Sequence, residues 1–189
     1  MFTVLIDNGH GACTPGKRSP DGKIREYAYT RALAAMIKER LDKAPGISCG
    51  LLVPEEEDVS LRERVRRAND MQPHLLVSLH INASGMGADW REARGWGAYV
   101  GPRANSGSLR AASALARAAE AAGLKVRRPA PGVDAWAQNL AICRDTVCSS
   151  VLTENLFMDN AEDCAFLLSP DGIRILAEVH AGAIVGVAY

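Results

Sequence analysis

The sequence predicts an α/β fold: one domain with a twisted, mostly parallel or mixed sheet, helices on both faces, and an active site at the carboxyl ends of the strands. Three observations carry this. Short apolar runs alternate along the chain with longer segments of helical periodicity. Several of the runs are almost continuously apolar, as befits central strands covered on both sides. Three of them finish in or just before a histidine or a glutamate, where open α/β sheets gather their chemistry.

Taken in order, the strands are expected at Thr3–Asp7, Ser48–Val53, Leu75–His80, Gly97–Val100 and Ser150–Glu154. Helical periodicity covers Glu26–Lys43, Leu61–Met71, Leu109–Ala122 and Pro170–Val187. Ser60 and Glu63 have the spacing of a capping box at the start of the second helix. Gly123 stops the third, and Ser169-Pro170-Asp171 opens the last with a cap, a proline at the first position and an acid in the first turn. Between Val126 and Asp145 the residues Pro129, Pro131 and Gly132 break any regular pattern, so a long surface loop is expected there.

The 189 residues suit one domain, read as residues 1–189, and 48% hydrophobic with 23% charged residues is ordinary for a protein with a packed core. Lysine plus arginine and aspartate plus glutamate both number 22, so the balance offers no footprint for nucleic acid or an anionic membrane. Basic clusters at Arg62–Arg67 and Lys125–Arg128 read as solvated faces. No apolar run approaches the ~20 residues of a spanning helix, so no membrane insertion is expected. The opening MFTVLIDNGHG lacks the layout of a secretory signal, and the five cysteines form no CxxC pair. Both point to a chain made in the cytoplasm with reduced thiols, although Cys143 and Cys148 are near enough in sequence to bridge under oxidation.

The polar residues at the strand ends carry the functional reading. The first strand is followed by His10, held between Gly9 and Gly11; the third ends in His80, with Asn82 two residues on; the last ends in Glu154 and Asn155. Two histidines and one carboxylate are a common donor set for catalytic zinc, with a further position left for water. Asp7, Glu26 and Glu154 are candidates for the third donor. Glu26 stands at the start of a helix after the glycine-rich turn, where it can point into the site, and this leaves Glu154 free as a general base.

The stretches IDNGHG, TPGKRSPDGKIREY, DVSLRERVRRAN, LLVSLHINA and VLTENLFMDN fall in an order that resembles the zinc-dependent N-acetylmuramoyl-L-alanine amidases of the Amidase_3 type, found in cell-wall remodelling and in phage lysins. The resemblance covers essentially the whole chain. It implies one zinc ion held by His10, Glu26 and His80, Glu154 as the catalytic carboxylate, and peptidoglycan as the substrate, cut between N-acetylmuramic acid and L-alanine. Arg144 matches an arginine of the family and is expected to meet a substrate carboxylate, and Asn82 to orient a ligand or bind substrate. Asn8 stands where the family usually has proline, Leu156 where it commonly has glycine, and Val53-Pro54 where a threonine-arginine pair is frequent. The resemblance also places the action at the cell wall, and a lysin released by a partner pore reconciles that with the absence of a visible signal.

Each residue has a plainer reading. His80 closing an apolar strand can be a satisfied core histidine, Glu26 a first-turn acid favoured by the helix dipole, and Glu154 half of a structural salt bridge. His74 and His180 read as structural or surface residues, Cys13 as a loop thiol, and Asn8 and Asn160 as turn and cap residues. Two alternatives to the amidase follow: another zinc peptidase or amidohydrolase on the same fold, and a non-catalytic peptidoglycan-binding module. A nucleotide site is disfavoured, because GHGACTPG is neither GxGxxG nor a phosphate loop.

Overall fold

The computed structural model describes residues 1–85 and 88–189. In chain order the elements are β1 (Phe2–Asn8), α1 (Glu26–Leu41), β2 (Ile47–Leu51), α2 (Leu61–Met71), β3 (Leu75–Asn82), β4 (Gly97–Val100), α3 (Ser106–Ala121), β5 (Ala135–Ala137), α4 (Ala141–Arg144), β6 (Ser149–Phe157), α5 (Ala161–Leu168) and α6 (Pro170–Ala188). The strands form one six-stranded sheet in the order β2-β1-β3-β6-β4-β5. From β2 to β6 all neighbours are parallel; β4 runs antiparallel to β6, and β5 parallel to β4. The sheet is therefore mixed, with helices on both faces, as the sequence predicts.

Side-chain alternation along the strands divides the core in two. Val4, Ile6, Val77 and Val151 point to one face, where α1, α3 and α6 cover them with Leu33, Ile37, Leu115 and Leu176. Leu5, Leu76 and Leu152 point to the other, under Ala68 of α2 and Ile142 of α4. Moving along β3 and β6 in steps of two from Leu76 and Leu152 leads to Ser78 and His80, and to Glu154. The strand-end residues thus share the thinly covered face.

Caps agree with the sequence in most places. Ser169 accepts a hydrogen bond from the Gly172 amide and opens α6, and Asn160 caps α5 by accepting from the Glu162 and Asp163 amides. The capping box of α2 is half formed. Ser60 accepts from the Glu63 amide, but the Glu63 carboxylate turns to Arg66 and Arg67 instead of reaching back. Three elements lie where no regular structure is expected from sequence: β5 and α4, both inside the presumed Val126–Asp145 loop, and α5, which starts four residues after β6 ends. Helix α3 begins at Ser106, three residues early, because Asn105 caps it. Asn8 is the buried last residue of β1, not a turn residue. Strand β6 continues past Glu154, with a register shift opposite His80 and Asn82. Within this irregular stretch Leu156 adopts φ 70, a left-handed conformation that glycine takes freely and leucine does not. All five cysteines are free thiols.

Candidate active site

His10 is carried by the turn after β1, and its own backbone is left-handed, with φ 63. Three features hold that strained conformation. The guanidinium of Arg64, only 3% exposed, donates from Nη1 to the Asn8 carbonyl at 2.7 Å and from Nη2 to the His10 carbonyl at 3.0 Å. A side chain on Gly9 would overlap the His80 ring, and one on Gly11 would overlap the backbone of Asp58. The glycines around His10 are therefore required by close packing with His80 and Asp58, while the left-handed turn falls on the histidine itself. Asp7 anchors the cation: its Oδ1 accepts from Arg64 Nη1 at 2.6 Å and its Oδ2 from the Ser78 hydroxyl at 2.6 Å. With both oxygens engaged, Asp7 is not drawn into the group formed by the histidines.

That group is His10, Glu26 and His80, whose donor atoms all lie within 4.8 Å of one another. Glu26 opens α1 and is buried. Its Oε1 accepts from the Ile81 amide and faces His80 Nδ1, both at 3.0 Å, and its Oε2 lies 3.3 Å from His10 Nε2. The two imidazole rings meet edge to face with centroids 5.0 Å apart. Burial alone would raise the Glu26 pKa, but the two imidazoles outweigh it and hold the carboxyl well below the usual carboxylate range. For His80, burial works against protonation, and the neighbouring carboxylates, Glu26 first, raise the pKa overall. The arrangement fits a metal ion: two imidazoles and a carboxylate converge, and the buried Glu26 Oε2 has no hydrogen-bond partner among the described residues.

Glu154 lies directly across from His80 in the β3–β6 register. The residue is partly exposed, but its carboxyl is largely shut off from water, and this burial pushes its pKa up to about 7. The buried Oε2 also has no hydrogen-bond partner among the described residues. A carboxylate left unsatisfied beside a metal-type donor set is poised to exchange protons with whatever occupies the space between. A cleft of about 560 Å³ opens beside His10 and His80, walled by Val59, Leu61, Leu140 and Ile142, with Asp7 and Ser78 in its floor.

The other sequence candidates are dispersed. Asn82, the last residue of β3, accepts from the Ala83 amide, and its side chain reaches the Tyr99 phenol of β4. Arg144 is bound to Asp145 and Asn139 and lines a smaller cleft with Gly101 and Arg103. Cys13 is exposed and outside the donor group. His74 pairs with Thr3, and His180 is wholly buried in α6. Reading the Arg62–Arg67 cluster as a solvated face misses Arg64. Its position four residues after the capping serine, on the face opposite Arg62 and Arg66, is the available hint.

An open α/β sheet with two imidazoles and a carboxylate at its strand ends, and a free glutamate alongside, has the make-up of a mononuclear metallohydrolase. The family model described as N-acetylmuramoyl-L-alanine amidase (Amidase_3) matches residues 4–185, and the chain belongs to this family. It is 29% identical over 185 residues to the endolysin of Bacillus phage SPP1, covering 96% of this chain and 64% of that protein. It is 25% identical to the sporulation-specific N-acetylmuramoyl-L-alanine amidase of Bacillus subtilis, covering 97% and 67%. The chain thus spans about two thirds of the length of these relatives. Among solved structures, the catalytic domain of CwlV, an N-acetylmuramoyl-L-alanine amidase from Bacillus (Paenibacillus) polymyxa var. colistinus, superposes with a TM-score of 0.85 at 27% identity, covering 98% of this chain and 97% of that one.

Proposed function

We propose that this chain is the catalytic domain of a zinc-dependent amidase that hydrolyses the bond between the lactyl group of N-acetylmuramic acid and L-alanine in peptidoglycan. The observation that carries the reading is the pairing of the compact His10–Glu26–His80 group with Glu154, whose Oε2 has no partner. In this reading His10, Glu26 and His80 hold one zinc ion. When bound, zinc supplies a Lewis acid that polarises the scissile carbonyl and makes water acidic enough to attack near neutral pH.

Glu154 moves the proton. Its Oε2 takes the proton from the attacking water and delivers it to the departing nitrogen of L-alanine; a pKa pushed up to about 7 suits a group that must both accept and return a proton. The Ile81 amide fixes the Glu26 carboxylate, and Arg64 fixes the backbone that carries His10. Asn82 and Arg144 serve as contacts to the substrate. The cell wall is the place of action, and the similarity to a phage endolysin supports a lysin role. No helix among the described residues is long and apolar enough to cross a membrane. A peptidoglycan-binding module without activity would have no use for an unpartnered buried carboxylate, which costs stability.

Zinc content and hydrolysis measured together test this. Wild type and Glu154→Gln, stripped with chelator and reloaded, are expected to take up one zinc per chain, and only wild type to release stem peptides. His10→Ala is expected to lose the zinc. Equal zinc uptake by His10→Ala, or full turnover by Glu154→Gln, would overturn the assignment.

A further inference from the structure

Arg127 belongs to the second basic cluster that reads as a solvated face, yet it turns inward on the β4 side of Glu154. Its amide donates to the Trp96 carbonyl at 2.7 Å, which moors the segment beside the start of β4. Gly97, the next residue of that strand, lies directly across from Glu154 and puts no side chain in the way. The Arg127 guanidinium carbon sits 4.8 Å from the centre of the Phe157 ring and 6.0 Å from that of Trp136, and Trp136 in turn stacks on Tyr99. Both rings hold the cation by cation–π attraction and restrict its stem.

Several arginines of the chain lack an acidic partner, but Arg127 combines that lack with two aromatic rings and a place next to Glu154. Among the described residues no carboxylate lies within ion-pair distance of it. Neighbouring Arg128 is bound to both Glu120 and Asp134, so the local acids are already taken. Arg64, Arg67, Arg94 and Arg144 each have an acidic partner as well. For Arg144 to meet a substrate carboxylate, Asp145 must be released; Arg127 has only the Tyr99 phenol and the field of Glu154 beside it, and no ion pair to break. A half-buried guanidinium, pre-oriented by two rings and in no direct ion pair, matches the fork geometry of a carboxylate.

We propose that Arg127 forms an anion subsite that binds the first free carboxylate of the stem peptide, the one on the residue after L-alanine, and so selects peptides in which that group is unamidated. The proposal rests on the amidase reading and deepens it. The chain leaving the cleaved amide must pass Glu154, and a cation one strand away is within reach of a carboxylate a few bonds from the scissile nitrogen.

The test uses two muramoyl peptides that differ only there, L-alanyl-D-glutamate and its α-amide, with wild type, Arg127→Gln and Arg127→Lys. Calorimetry with the released dipeptides, acid and amide, on zinc-loaded Glu154→Gln and on the Glu154→Gln/Arg127→Gln double variant gives a readout independent of turnover. Wild type is expected to favour the acid by about tenfold in kcat/KM, mostly through KM, which is the size of one charge-assisted contact. Arg127→Gln should bring the two substrates level, and Arg127→Lys should keep part of the preference. Calorimetry should show the same loss of acid preference. Equal losses on both substrates, or no preference in wild type, would overturn the subsite. If wild type cuts neither substrate, the amidase reading fails, and the dipeptide titrations alone decide whether Arg127 binds a carboxylate.

Discussion

Arg64 and His10 lie 54 positions apart in sequence, and the guanidinium of one is hydrogen-bonded to the carbonyl of the other at 3.0 Å. The same cation is paired with Asp7, bound to the Asn8 and Val59 carbonyls, and nearly sealed from water. It therefore does two things: it satisfies the buried acid, and it holds the left-handed turn that aims the His10 imidazole at Glu26.

Removing that cation strands Asp7. Arg64→Met is expected to destabilise the metal-free protein by about 3–5 kcal/mol, the usual cost of leaving one half of a buried ion pair. Arg64→Lys keeps the charge but cannot reach all four acceptors, so it should fold and bind zinc about 10–100-fold more weakly, as when supports behind a metal ligand are lost. Urea unfolding and zinc competition measure these separately. Wild-type zinc affinity in Arg64→Lys would show that the turn holds itself.

Gly9→Ala tests the close packing of the turn on His80. The added methyl would overlap the imidazole ring, so His80 must swing away and zinc affinity should fall by about 10–100-fold. Gly22→Ala, in open space but at φ 71, is the contrast: it should cost some stability through backbone strain and leave zinc binding alone. If both variants bind zinc normally, His80 does not depend on that packing.

Glu154→Gln is expected to lower kcat by about 10²–10⁴-fold, the range for losing a general acid–base group, with zinc content unchanged. Because the side chain is isosteric, folding should be preserved; thermal unfolding checks this. A loss below tenfold would assign the proton transfer to another group.

Stability should also depend on pH through His180. Its Nδ1 faces the Leu176 carbonyl at 2.7 Å, which can only accept, so the proton sits there and Nε2 accepts from the Thr153 hydroxyl at 3.1 Å. Burial in this neutral form lowers its pKa from 6.5 to about 4. The unfolded chain takes up a proton below about 6.5 and the folded chain does not. The contribution is therefore complete above pH 6.5 and is lost as pH falls towards 4, by up to roughly 3 kcal/mol. Urea midpoints of wild type and His180→Gln between pH 7.5 and 4.5 should converge as the solution is acidified. Parallel curves would place the acid sensitivity elsewhere.

How much of this was legible in the sequence follows from the range of each interaction. His10, His80 and Glu154 are each visible in or just after one apolar run, because the run and the polar residue near its end are contiguous in sequence. Glu26 is visible as a helix start, and α1 begins at that residue. Strand β5 has three residues and lies among prolines and glycines, too short for any period to emerge. Helix α5 has only eight residues, about two turns, so although its cap Asn160 is readable its period is too brief to stand out between β6 and the long α6. Arg64 and Arg127 look like surface charges because their neighbours in sequence are charged. What buries them is the distant strand end at Asp7 in one case and the Trp136 and Phe157 rings in the other. Only the folded sheet brings those together. The glycine usual at position 156 in the family also gains a reason, since Leu156 sits at φ 70.

The central claim is the bond that is cut. Purified peptidoglycan incubated with zinc-loaded protein, beside the Glu154→Gln variant, and analysed by mass spectrometry decides it most directly. The account predicts new free L-alanine amino termini and glycan strands stripped of peptide, both absent with the variant. Cleavage at another bond, or the same products from Glu154→Gln, would contradict it.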